Sequence, residues 1–143
     1  MGVSKRQRRR ADEMLTQAGF DAHIRMVDVP ASCPGTIFFL WAEFEKSWAG
    51  FGSLGRRGKP AEVVAEEAVG EFLRLMESGA AVDEHLADQL IIYMALAKGL
   101  SVLTTPNITP HLTTSIWVVE QFLPVKFEVE GNEGGKGKVS RIR

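Results

Sequence analysis

The sequence predicts an α/β (α+β) fold made of two small units, each with helices packed on a β-sheet. Three observations point there. The first third reads mostly as strands. The rest orders itself as helix, helix, strand, helix, strand, strand. Between them lies the loop "RRGKP", Arg56 to Pro60, which marks a boundary. With 143 residues and 45% apolar side chains, the chain can bury one ordinary core or two small ones.

The elements follow in order. Ala11, Met14, Leu15 and Ala18 recur at helical spacing over Ser4 to Ala18, and Gly19 is a natural stop. "FDAHIRMVDV" (20–29) alternates as a strand, and "PASCPG" is a turn. "TIFFLWAEFE" (36–45) reads as a buried strand. "SWAGFGSLG" (47–55) reads as a third, weakened by its glycines. Pro60 suits a helix start. Val64, Ala68, Phe72 and Met76 then form an apolar stripe opposite Glu62, Glu66, Glu67 and Glu71, ending at Gly79. Asp83 is the expected N-cap of a helix from Glu84 to Lys98, closed by Gly99. "LSVLTT" is a short strand and "PNITPHLTT" (106–114) a loop. Thr114 is the expected cap of a helix from Ser115 to Leu123, which Pro124 ends. "VKFEVEG" alternates as a strand, "NEGGKG" turns, and "KVSRIR" pairs back. The expected units are residues 1–58 and 59–143.

Composition narrows the function classes. Seventeen basic and eighteen acidic residues leave a net charge of -1, so no global basic field advertises nucleic acid. The local block Lys5, Arg6, Arg8, Arg9, Arg10 reads first as a solvated helix face. With Arg56, Arg57 and Lys59 it also offers contacts to RNA phosphates. Cys33 is the single cysteine, which excludes an intrachain disulfide and a cysteine-cluster zinc site. The longest apolar run, Ile37 to Ala42, is too short to span a bilayer. The basic start "MGVSKRQRRRADEML" has no apolar region after it, so it is not a secretory signal. The expectation is a cytoplasmic protein with no membrane partner. Trp41, Trp48 and Trp117 sit on apolar segments and are assigned to the core.

Two polar clusters carry candidate chemistry. In "DEHLADQLIIYMALAKG" apolar residues surround most of the helix, which predicts burial on more than one side. His85, Asp88 and Gln89 nevertheless share one face in its first turns, where free N–H groups favour anions. A purine or phosphate fits there. So does a plain capping and surface network, which the residue types alone favour. His111 lies in a Thr/Pro loop ahead of a helix, among Thr109, Thr113, Thr114 and Ser115. Most loop histidines meet solvent. A neutral imidazole facing a helix start can also act as a nucleophile toward phosphorus. "GFGSLG" lacks the phosphate-loop lysine and the dinucleotide spacing. His23 falls on a strand and faces solvent.

"GSLGRRGKPAEVVAEEAVGEFLRLMESGAAVDEHLADQLIIYMALAKG", followed by "TPHLTTSIWVVEQFLPVKFEVE", resembles the C-terminal part of the RNA 3'-terminal phosphate cyclases. "AGFDAHIRMVDVPASCPGTIFFLWAEFE" resembles the second half of that family's inserted small domain. The resemblance implies that 1–58 is a partial insert domain and that 59–143 is the last repeat of the large domain, two helices on four strands. It implies ATP and a divalent metal (Mg or Mn) as cofactors and an RNA with a 3'-phosphate end as partner. The reaction is conversion of that end to a 2',3'-cyclic phosphate through an adenylated histidine. The nucleophile matches His111, and the ATP-binding segment matches His85, Leu86, Ala87, Asp88 and Gln89. The family often has Asn where Ser115 stands, and Pro110 directly precedes the histidine. The family's N-terminal repeats are not in this sequence. The alternative is therefore a truncated or cyclase-like protein without catalysis, with an RNA-processing or binding role, whose exposed apolar surface favours a homo-oligomer.

Overall fold

The computed structural model describes residues 2–142, so Met1 and Arg143, the outer limits of the two expected units, lie outside the described residues. Four helices and five strands follow in the order α1 (Val3–Gln17), β1 (Thr36–Glu43), β2 (Trp48–Gly55), α2 (Ala61–Ser78), α3 (Glu84–Leu96), β3 (Ser101–Thr105), α4 (Pro110–Phe122), β4 (Phe127–Glu130) and β5 (Gly137–Arg141). The mixed α/β class is as expected. Two compact units divide between Leu73 and Arg74, inside α2.

In the first unit α1 buries Gln7, Ala11 and Leu15, one residue per turn. Gln7 is a polar residue in that stripe because its Nε2 donates to Thr36 Oγ1 at 3.0 Å. Arg6 bonds Glu62 at 3.4 Å and Arg10 bonds Glu66 at 2.6 Å. The equal steps, 6 to 10 and 62 to 66, show that α1 and α2 run parallel. Two of the five basic residues, Arg6 and Arg10, are thus answered by the glutamate face of α2. On that helix Val64, Ala68 and Phe72 are buried as the stripe required, and the Phe72 ring meets Phe20 and Phe51 edge-on at 4.9 and 5.9 Å.

β1 and β2 form an antiparallel pair from Thr36↔Gly55 to Glu43↔Trp48, closed at the tip by Phe44 N–H donating to Ser47 O at 2.8 Å. Opposite residues share a face. Phe51 and Ser53 turn inward, and Ser53 Oγ donates to Glu67 at 2.6 Å while Lys59 pairs with the same carboxylate. Ile37, Phe39, Trp41, Trp48 and Leu54 turn outward and are exposed. This corrects two expectations: β1 is buried on one side only, and Trp41 and Trp48 are not core. Trp117 is likewise exposed on α4. The alternating segment 20–29 is not a strand. β1 and β2 pair with each other, no third strand joins them among the described residues, and alternation without a ladder partner cannot fix extended backbone.

In the second unit β3, β5 and β4 lie in that order, all antiparallel, through Leu103↔Val139 and Val129↔Val139. Three strands are present among the described residues where the resemblance implied four. One core joins the sheet to both helices: Ala87, Ile91 and Met94 from α3, Leu112 and Ile116 from α4, and Leu103, Ile108 and Val139. α3 buries that single stripe. Ile92, Tyr93 and Leu96 on its other side are exposed, so the expectation of burial on several sides is corrected. Gly99, at φ +94°, ends the turn after α3 in a conformation that L side chains rarely adopt.

Ile108, just before α4, is fixed by the β4–β5 turn. Its N–H donates to Gly135 O at 2.8 Å and its carbonyl accepts from Gly134 N–H at 2.9 Å. Its side chain packs where a Cβ on Gly137 would come within 2.3 Å of Cγ1. Gly137→Ala should therefore destabilise the chain by roughly 1–3 kcal/mol in a denaturant titration, the cost of overpacking.

Glu120 joins the end of α4 to β4. Lys126 Nζ donates to Oε2 at 2.7 Å and Phe127 N–H donates to Oε1 at 2.8 Å, and the lysine bond first, then the backbone bond, lowers its pKa. A lowered folded pKa means stability that is complete above the ordinary value of 4.5 and lost as pH falls through the folded one. Glu120→Gln should cost about 1 kcal/mol at neutral pH and flatten that acid limb in pH-dependent melting.

Candidate functional site at two helix starts

The hydrogen bonds at the end of β3 bring the starts of α3 and α4 together. Thr104 O accepts from Ala81 and Val82 N–H at 3.2 and 3.1 Å, and Thr104 Oγ1 accepts from Ala81 N–H at 2.9 Å. The chain entering α3 therefore sits on the C-terminal end of β3. The chain entering α4 leaves that same end. α3 runs away from this edge, β3 returns, and α4 runs away again, so the two helices lie parallel over the shared core. Their positive dipole ends face the same edge.

Each start is capped from within. Asp83 Oδ1 accepts from His85 and Leu86 N–H, both at 2.9 Å. Thr109 Oγ1 accepts from Leu112 N–H at 3.1 Å, and Pro110 occupies the first helical position. α4 thus begins five residues before the expected start at Ser115, with Thr109 and not Thr114 as its cap. His111 is not a loop residue. It is the second residue of a helix, and its side chain is exposed. His85 holds the same second position on α3 and is also exposed. The signal for the earlier start was the Thr-Pro pair, a capping residue followed by proline where its missing N–H costs nothing.

A side-chain bridge ties the two starts. Asn107 Nδ2 donates to Glu84 Oε2 at 2.6 Å. Asn107 O accepts from the hydroxyl of fully buried Thr105 at 3.2 Å. Asn107 Oδ1 is buried and has no partner among the described residues. Neither Glu84 nor Asn107 stood out in the sequence, because their meeting depends on the β3 return.

The remaining expected site residues divide by burial. Ala87 is in the core and Leu86 is half-buried, so both support the helix. Gln89 is exposed one turn after His85, and Asp88 is half-buried beside it. Among the described residues neither Asp88 nor Gln89 has a side-chain hydrogen bond to the protein. Of the four hydroxyls around His111, Thr109 is spent on its cap and Thr113 donates to Pro110 O at 3.1 Å.

Chemically, the edge offers two exposed imidazoles and helix-start N–H groups, which suit a nucleotide phosphate. It does not form a metal cage: among the described residues no three of His, Cys, Asp and Glu gather to hold a cation. A divalent cation held mainly by nucleotide phosphates and water needs no such cage. No described helix is long and apolar enough to cross a membrane.

Comparison with known proteins agrees with the resemblance. A family profile described as RNA 3'-terminal phosphate cyclase matches residues 5–129. The RNA 3'-terminal phosphate cyclase of Methylococcus capsulatus is 44% identical over 137 residues, covering 96% of this chain and 38% of that protein. The protein of the same name from Pyrobaculum neutrophilum is 44% identical over 130 residues, covering 90% and 38%. That from Pyrococcus furiosus is 40% identical over 141 residues, covering 99% and 41%. The chain spans about two fifths of the length of these curated relatives. On the match over residues 5–129, this chain belongs to the RNA 3'-terminal phosphate cyclase family.

Proposed function

We propose that this chain carries the nucleotidyl-transfer histidine of an ATP-dependent RNA 3'-phosphate cyclase, acting in the cytoplasm. Residues 59–143 are the C-terminal repeat of its large domain and residues 1–58 part of its insert. The observation that carries the reading is the place of His111: an exposed imidazole at the second position of α4, with the start of α3 on the same edge.

In this reading a neutral His111 nitrogen attacks the α-phosphorus of ATP. An N–P bond forms and pyrophosphate leaves. An oxygen of the RNA 3'-phosphate then attacks that phosphorus, and the N–P bond breaks to free His111. Last, the neighbouring 2'-hydroxyl attacks the activated 3'-phosphorus, loses its proton and expels AMP, closing the 2',3'-cyclic phosphate. The helix-start N–H groups and dipoles hold phosphate charge. His85, Asp88 and Gln89 face the nucleotide, and Leu86 and Ala87 fix their helix to the core. A second reading rests on the two-fifths coverage of the relatives: the chain binds nucleotide or RNA but does not catalyse alone.

The test is incubation with α-labelled ATP and Mg2+ or Mn2+, then a denaturing gel. An acid-labile, alkali-stable label is expected on the chain and should vanish in His111→Ala, whose fold should be intact because the side chain is exposed. Label retained in the variant would refute the assignment. Binding without any label would favour the second reading. Asp88→Ala or Gln89→Ala should weaken ATP binding roughly tenfold, the loss of one hydrogen bond to a charged group. Each should change stability by less than about 0.5 kcal/mol. Equal losses in calorimetric binding and in melting would mark both as structural.

A further inference from the structure

The outward face of the β1–β2 hairpin carries large apolar side chains that the first unit does not cover. Ile37 and Phe39 are each 63% exposed, Trp41 66%, Trp48 60% and Leu54 68%. They are not scattered. The register places Ile37 opposite Leu54, Phe39 opposite Gly52 and Trp41 opposite Gly50, so all of them share one side of the sheet. The two glycines leave a bare strip, and the Phe39 ring lies across it: a Cβ on Gly50 would stand 3.0 Å from its ring tip and one on Gly52 3.5 Å from its edge. Trp41 and Trp48 brace each other edge-on at 5.1 Å. The result is a flat apolar slab held in place by its own contacts. Soluble monomers rarely leave such a face to water.

Charge is unequal along the slab. At the hairpin tip Glu43, opposite Trp48 on the outward side, and Glu45 are exposed, with Lys46 between the strands. At the other end exposed Arg56 and Arg57 follow β2 directly. If a second copy lies face to face on the first, related by a two-fold axis across the strands, each acidic tip meets the basic end of its partner. The parallel arrangement would set like charges together. Covering the five exposed side chains would remove roughly 700 Å² from each copy, or about 1,400 Å² in total, within the range of specific interfaces.

We propose that this face is a self-complementary dimer interface, in which two hairpins stack with their strands antiparallel and Glu43 of one copy facing Arg56 and Arg57 of the other. The occupant is a second copy of this chain because the two ends of one face complement each other. The inference stands apart from the reading of His111 and does not need an active enzyme.

Sedimentation velocity over a concentration series tests it. The wild type should reach twice 15.8 kDa and stop there. Trp41→Ser, at an exposed position that leaves the core intact, should stay monomeric. Glu43→Arg alone and the double variant Arg56→Glu, Arg57→Glu alone should each weaken the dimer, by roughly tenfold or more. Mixing those two variants restores opposite charges at both ends and should restore the dimer. A wild-type monomer at all concentrations would overturn the proposal. So would mass growing without limit and blind to the charge changes, or a monomer that binds single-stranded RNA through Trp41, which would assign the face to bases.

Discussion

The second unit depends on how Ile108 is held. Its two backbone groups are bonded to the β4–β5 turn, and its side chain fills a space that exists because residue 137 is glycine. The next residue, Thr109, caps α4, and two residues later comes His111. A chain position fixed by backbone bonds and a buried side chain moves little, so the helix that follows starts at a defined place and in a defined direction. The buried stripe of Leu112 and Ile116 then locks its rotation against α3 and the sheet.

From that fixed point the rest of the edge follows. β3 is short, and both helix entries hang from its C-terminal end, one through Thr104 and one through Asn107. Two parallel helices beginning at one edge add their dipoles, whereas an antiparallel pair would set opposite ends together. The caps use part of each first turn and leave the second residue, histidine in both helices, pointing to solvent. The Glu84–Asn107 bridge places a carboxylate at this edge but engages it, which lessens its opposition to a bound phosphate.

Much of this was legible in the sequence, and the failures have physical causes. α1, β1, β2, α2 and the Asp83 cap follow from local signals, namely one apolar residue per turn, branched and aromatic runs, and a capping side chain before an apolar helix. The segment 20–29 misled because alternation describes a side-chain pattern and not the presence of a neighbouring strand. The tryptophans misled because an apolar segment predicts a buried side only if something covers it. On β1 and β2 the inner side is covered by the unit itself, and the outer side is not. The expected start of α4 falls late because the Thr/Ser-rich run holds several capping residues; the one used is Thr109, which Pro110 follows, and the bonds of Ile108 pin the chain just before it. His85 and His111 were both visible as candidates. Their equivalence was not, since it comes from the β3 return that brings two distant helix starts to one edge.

Amide hydrogen exchange measured residue by residue from Thr105 to Thr113 tests the pinned helix start most directly. If Ile108 anchors α4 as described, its N–H and that of Leu112 should exchange only through the opening that unfolds the whole second unit, together with core amides of β5 such as Val139. Exchange of Ile108 and Leu112 as fast as an open loop, while Val139 stays protected, would mean that α4 begins later and that His111 is not held at a helix start.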